Sequence, residues 1–221
     1  MKPNVVAGLT IAVLALALVI GGLGAGIAIS GKTGPPVTTT VTATSTTTNS
    51  TSPFVLTLVV TINNLFNSSA GDMPAYYVLG PQGLQSSASI SVPANRLIKL
   101  VIINYDNGNA TMVQPGVNNV KGTVNNTIFV TNNDYVNSTQ GPSGIDIRGT
   151  QTLNTVDPEV LAHTFSVQSL GLNVPLPENS TVVSYFTIGQ PGTYIWQCMT
   201  LCGGAAMASP GWMTGELVAS D

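Results

Sequence analysis

The chain of 221 residues carries one histidine, His163, and two cysteines, Cys198 and Cys202, and all three lie in its last third. One imidazole, two thiols and the nearby thioethers of Met199, Met207 and Met213 make the soft donor set that favours copper in electron-transfer sites. Other states remain open for the same residues. In an oxidising compartment Cys198 and Cys202 can close a disulfide or stand as free thiols, and His163 can be a strand-end residue bonded to a neighbouring carbonyl. The sequence holds no Ser-His-Asp arrangement, no phosphate-binding loop and no paired carboxylates at a recognisable spacing, which leaves a hydrolase without support.

Residues so far apart must be brought together by the elements around them. From Phe54 onward, short β-branched runs alternate with Gly, Pro, Asn and Asp. Phe54–Ile62, Ala88–Val92, Arg96–Asn104, Asn126–Thr131, Ala162–Val167, Val182–Ile188, Thr193–Gln197 and Gly215–Ala219 read as strands. About eight short strands with irregular connections indicate an all-β, antiparallel Greek-key sandwich over residues 54–221. The Asn- and Gly-rich stretch at about 105–158 reads as a long insertion holding one hairpin. Alternation puts Trp196 and Cys198 on one face of their strand, which suits Trp196 to the sandwich core. Asp157 and Glu159 precede His163, but neither carries a signature of hydrogen bonding to it.

Ahead of that domain, Val5 to Ile29 runs without a charge, and about 20 apolar residues suffice to cross a bilayer. Residues 1–30 are expected to be a retained transmembrane anchor, since the apolar part of a cleaved signal is about 7–15 residues. Residues 31–53, with Pro35, Pro36 and many Thr and Ser, read as a tether. Charged residues make up 7% of the chain, far below the usual figure of about 25%. Six Lys and Arg are scattered, and with no basic face nucleic acid is excluded as a partner. Asn-x-Ser/Thr sequons at Asn49, Asn67, Asn109, Asn125, Asn137 and Asn179 suit a glycoprotein with its domain outside the cell membrane.

Two segments resemble subunit II of the haem-copper oxidases, a family with a cupredoxin-type domain. Leu161-Ala-His-Thr-Phe-Ser-Val-Gln-Ser-Leu-Gly-Leu-Asn-Val174 is similar to that family's first-ligand strand. Pro191-Gly-Thr-Tyr-Ile-Trp-Gln-Cys-Met-Thr-Leu-Cys-Gly203 is similar to its Pro-Gly-x-Tyr strand running into Cys-x-x-x-Cys-Gly. The likeness spans residues 157–221 and leaves the insertion uncovered. It implies that Cys198 and Cys202 would bridge copper, that His163 would be the first imidazole ligand, and that Thr200 would contribute its backbone carbonyl, its side chain being free to vary.

The chain departs from the family where the second imidazole belongs, at Ala206, and where the methionine belongs, at Ser209. Met213 restores a thioether if Ala208–Trp212 is extra loop. The expectation is therefore one copper ion at most, or none, with His163, Cys198, Cys202 and Met213 as candidate ligands and haem confined to a partner subunit. The resemblance implies a non-catalytic subunit of a respiratory terminal oxidase, partnered by subunit I and other membrane subunits, with quinol or a small redox protein as donor. The alternatives are a free-standing, membrane-tethered cupredoxin carrier and a non-redox envelope protein with the same sandwich.

Overall fold

The computed structural model describes residues 52–65, 73–133 and 149–221. The expected anchor, most of the tether and the sequons at Asn49, Asn67 and Asn137 lie outside these residues. Among the described residues no helix is long and apolar enough to cross a membrane.

Among the described residues twelve strands form two sheets. They are β1 (Phe54–Thr61), β2 (Ala75–Gly80), β3 (Gly83–Ser86), β4 (Ser89–Pro93), β5 (Leu97–Asn104), β6 (Ile128–Asn132), β7 (Thr150–Leu153), β8 (Leu161–Val167), β9 (Leu172–Pro177), β10 (Ser180–Thr187), β11 (Gly192–Gln197) and β12 (Thr214–Ser220). One sheet has the order β3-β2-β1-β5-β10-β6-β7 and the other β4-β12-β11-β8-β9. Most neighbours are antiparallel, but β1 with β5 and β12 with β4 are parallel. Each of the eight strands expected from the sequence has a counterpart within a few residues.

The sandwich follows from period-2 burial. Ile98, Leu100 and Ile102 of β5 and Val182 and Phe186 of β10 point inward from one sheet, as Leu217 and Ala219 of β12 do from the other. Such alternation leaves each strand one apolar face, and two such faces close on one core. β8 is different, because all seven of its residues are buried. That strand is covered on both faces, and polar side chains on it, His163, Thr164 and Ser166, must find partners inside the protein.

An aromatic group fills the core beside β8. Trp196 is fully buried, stacked on Phe165 with centroids 5.5 Å apart and edge-on to Tyr76 at 5.1 Å. Its indole N–H donates to the Ser87 carbonyl at 3.1 Å. Gly215 of β12 faces this indole so closely that a Cβ there would stand 2.6 Å from the Trp196 nitrogen and 2.7 Å from the Ser87 oxygen. Trp196 is thus a core residue, and the ring that neighbours His163 is Tyr76, at 6.4 Å.

The stretch 105–158 contributes to both the sheet and the core. β6 pairs with β10, β6 and β7 form an antiparallel pair, and Val117, Val120 and Val156 are buried. Near its start, the segment is tied across the top of the second sheet. Ala110 N–H donates to the Leu161 carbonyl at 2.8 Å, Leu201 N–H to the Thr111 carbonyl at 2.8 Å, and Val113 N–H to the Met199 carbonyl at 3.0 Å.

Candidate metal centre

Three elements deliver the donor atoms. His163 comes from β8, where the pairing with β9 slips between Leu161 and His163; an irregularity of this kind re-aims a side chain relative to the regular pleat. Cys198 follows directly on β11, and its amide is fixed by the Met213 carbonyl at 2.8 Å. Cys202 closes the turn before a short helix, α1 (Gly204–Ala208). Between them Gly203 adopts φ +91°, a left-handed conformation that a side chain would strain.

The resulting cluster is tight and buried. The Cys198 and Cys202 sulfurs are 3.0 Å apart, and the His163 Nδ1 stands 3.0 Å from Cys202 and 3.8 Å from Cys198. The two sulfurs are not joined in a disulfide. His163, Cys198 and Cys202 are 2%, 1% and 7% exposed. On the far side of the imidazole, Nε2 meets Asp106 Oδ2 at 2.9 Å. A cavity of about 180 Å³, lined by Asp106, His163, Leu201 and Cys202 among others, opens onto this edge of the cluster.

Thr200 is a finding of the structure. The resemblance leaves its side chain free to vary, yet its hydroxyl oxygen lies 3.1 Å from each sulfur. The same hydroxyl donates to the Ala162 carbonyl at 2.9 Å. With its single proton placed there, the oxygen turns lone pairs toward the sulfurs. The Thr164 amide also approaches the Cys198 sulfur, at 3.4 Å.

These contacts set the charge state. Burial opposes a charge on Cys198, but hydrogen bonds from Cys202 and His163 and the imidazolium charge hold it well below the usual thiol range. The hydrogen bond to Cys198, and then burial, push Cys202 upward, and the pair carries one proton between two sulfurs. Burial works against a charged His163, yet hydrogen bonds to Asp106 and Cys198, with the negative charge on each, raise it to about 9. Burial raises Asp106, and the His163 and Gly108 hydrogen bonds and the imidazolium outweigh it, so the carboxyl is lowered.

The donor set fits one metal ion. Two donors on an ion with bonds of about 2.0–2.3 Å can stand at most about 4.6 Å apart. The three separations, 3.0, 3.0 and 3.8 Å, all satisfy that limit. The other expected residues take varied places. Met213 is fully buried with its carbonyl on the Cys198 amide, and Met207 packs against the core. The Met199 sulfur accepts from the Gln168 and Gln197 amides at 3.4 and 3.2 Å. Ala206 is fully buried in α1 and offers no donor.

Asp106 is the residue that sequence reasoning missed. Asp157 instead caps the 3₁₀ turn Pro158–Val160 by accepting from the Glu159 amide at 2.9 Å, and the Glu159 carbonyl accepts from the Asn109 side chain. The only signal for Asp106 was the Asp-Asn-Gly turn after β5, in which Gly108 N–H donates to Asp106 Oδ1 at 2.8 Å. Such a turn says nothing of a partner 57 positions away.

No protein-family model and no curated protein matches the chain. Among solved structures the chain is similar to auracyanin B, with 15% identity and a TM-score of 0.32, covering 78% of this chain and 93% of that one. It is also similar to the periplasmic domain of subunit II of cytochrome oxidase (CoxB) of Bradyrhizobium japonicum, with 10% identity and a TM-score of 0.34 over 76% of this chain and 84% of that one. Reduced rusticyanin gives 16% identity and a TM-score of 0.31 over 77% and 82%. Likenesses this distant carry no functional argument, and the reading below rests on the geometry of the cluster.

Proposed function

We propose that this chain is a cupredoxin-type electron-transfer domain holding a single copper ion through His163 Nδ1 and the thiolates of Cys198 and Cys202. The observation that carries the reading is the convergence of the only imidazole and both thiols of the chain in one buried cluster, all donor atoms within 4.8 Å of one another. Two thiolates and an imidazole are donors that favour copper, and copper so held exchanges one electron at a time. The buried Met213 is the candidate for a weak fourth donor.

A binuclear centre has no place in this reading. Each of two coppers needs terminal ligands, the chain has one histidine, and Ala206 has no donor atom. Together with the subunit II-like motifs, this favours the extracytoplasmic domain of a terminal oxidase subunit whose copper site is reduced to one ion. Subunit I would hold the haem, and the residues before Phe54 would serve as anchor and tether.

The test is metal analysis and electron paramagnetic resonance on the reduced full chain after copper addition, with haem measured in the native membrane complex. One copper per chain is expected. Two coppers per chain with the multi-line signal of a delocalised pair would overturn the single-ion reading, and no uptake by the reduced thiols would overturn copper binding altogether. Recovery of the chain free of haem-containing subunits would favour a free-standing carrier.

A further inference from the structure

We propose that Asp106 is the positioning residue of the cluster: its carboxylate holds the Nε2–H of His163, leaves Nδ1 as the ligating nitrogen, and places a fixed negative charge behind the metal. The inference rests on the copper reading for the charge effect, but the orientation of the imidazole stands on hydrogen-bond geometry alone.

The carboxylate is built into place. Its Oδ2 lies 2.9 Å from Nε2, while Oδ1 accepts from the Gly108 amide at 2.8 Å, so both oxygens are engaged and the plane of the group is set. The backbone of Asp106 is pinned as well. Its amide donates to the Asn104 side chain at 3.1 Å, and its carbonyl accepts from the Asn179 amide at 2.7 Å. Asn104 is fully buried at the end of β5 and anchors the turn by donating to the Pro177 carbonyl at 2.8 Å. A loop pinned to β5, and to the strand end and turn that follow β9, cannot swing its carboxylate away from β8 without breaking several bonds.

The consequence is chemical. A carboxylate accepts only, so the nitrogen facing it must carry the proton. The other nitrogen, Nδ1, faces the sulfurs and is the one that ligates once a metal ion displaces its proton. An acceptor behind a ligating imidazole fixes its tautomer and raises its basicity, and loss of such a partner typically costs about 10–100-fold in metal affinity. The carboxylate, only 15% exposed, also adds negative charge beside two thiolates. It stabilises the more positive of two copper oxidation states, which lowers the reduction potential.

The experiment compares the full wild-type chain with D106N and D106A, reading copper(I) affinity by chelator competition, the midpoint potential, and the His163 ring nitrogens by ¹⁵N NMR. D106N keeps an oxygen acceptor of the same shape and loses the charge. The expectation is an affinity loss of about 10–100-fold in D106A with a smaller loss in D106N, a raised potential in both, and an exchange-protected Nε2–H that D106A loses. An unchanged affinity and potential in D106A, with Nε2–H still protected, would overturn the proposal. If the wild type takes up no copper, the copper reading falls while the metal-free NMR comparison still decides for or against Asp106.

Discussion

Replacing Cys198 and Cys202 together by Ser in the reduced, metal-free protein should change how its stability depends on pH. His163 titrates at about 9 in the folded protein, against an ordinary 6.5. Between those values the folded state binds a proton that the unfolded state lacks. This stabilisation is complete below about 6.5 and is lost as pH rises through 9, at about 1.4 kcal/mol per pH unit. Over the whole window it amounts to about 3 kcal/mol. Cys198 acts with the opposite sign, because its folded value is depressed and the unfolded thiol holds the extra proton up to about 8.5. Stability from Cys198 therefore grows with pH across the same window. The two slopes oppose each other in the wild type, and its stability should vary less from about pH 6.5 to 8.5 than either group alone would dictate.

Serine has no thiolate to offer, and because Cys202, 3.0 Å from the imidazole, would ionise in place of a missing Cys198, the double variant C198S/C202S is the one that leaves the His163–Asp106 pair uncompensated. Its stability should then fall with pH across that window by up to about 1.4 kcal/mol per unit. The fall will be smaller than the full 3 kcal/mol, since Cys198 is itself one cause of the raised His163 value. Urea denaturation midpoints at pH 6.5, 7.5 and 8.5, with reductant and chelator present, read both slopes. A flat C198S/C202S profile, or a wild type that already loses about 1.4 kcal/mol per unit, would refute the imidazolium–thiolate pair.

Three further outcomes follow from the same structure. Ser184 of β10 is buried and its hydroxyl has no hydrogen-bond partner among the described residues, so S184A should raise stability by about 1 kcal/mol in denaturant unfolding, the cost of an unsatisfied polar group being about 1–3 kcal/mol. T200V strips the hydroxyl from both sulfurs and from the Ala162 carbonyl and should lower stability by about 1–3 kcal/mol, whereas T200S should retain most of it; equal stability of T200V and wild type would show the hydroxyl to be idle. A206H restores the missing imidazole at a position with no exposure, inside a helix whose Ala206 carbonyl accepts the Met213 amide at 3.2 Å, and overpacking should cost about 1–3 kcal/mol in denaturation midpoint.

The sandwich was legible in the sequence where strands are β-branched and uninterrupted. β1, β5 and β10 show alternation or continuous apolar runs that little else would explain. β9 was missed because Pro175 and Pro177 lie within it, and prolines demote a run to a sheet edge; β9 does lie at the edge of its sheet. β2 and β3 were missed for another reason. They form a short hairpin around Pro81 and Gln82, with Gly80 opposite Gly83, and such turn residues mask two weak strands. The cluster of His163, Cys198 and Cys202 was legible because each residue type is rare in this chain. Asp106 and Thr200 were not, since Asp and Thr have many ordinary roles and only the fold reveals where their oxygens point.

The way the donors are held ties the fold to its chemistry. A buried polar strand such as β8 costs stability unless its polar atoms are satisfied, and here Asn173 of β9 satisfies Ser166 while the cysteine loop serves the residues around His163. Thr164 bonds Ser166 at 2.9 Å and receives the Met199 amide at 2.8 Å, which fixes the start of the cysteine loop against the histidine strand. Thr200 reaches back to Ala162, one residue before His163, and spans both sulfurs. The loop that carries the thiols and the strand that carries the imidazole are therefore joined by the hydroxyls of Thr164 and Thr200. A metal ion entering such a cluster would meet donors already brought together by the protein, and little reorganisation on a change of oxidation state is the property that an electron-transfer site requires.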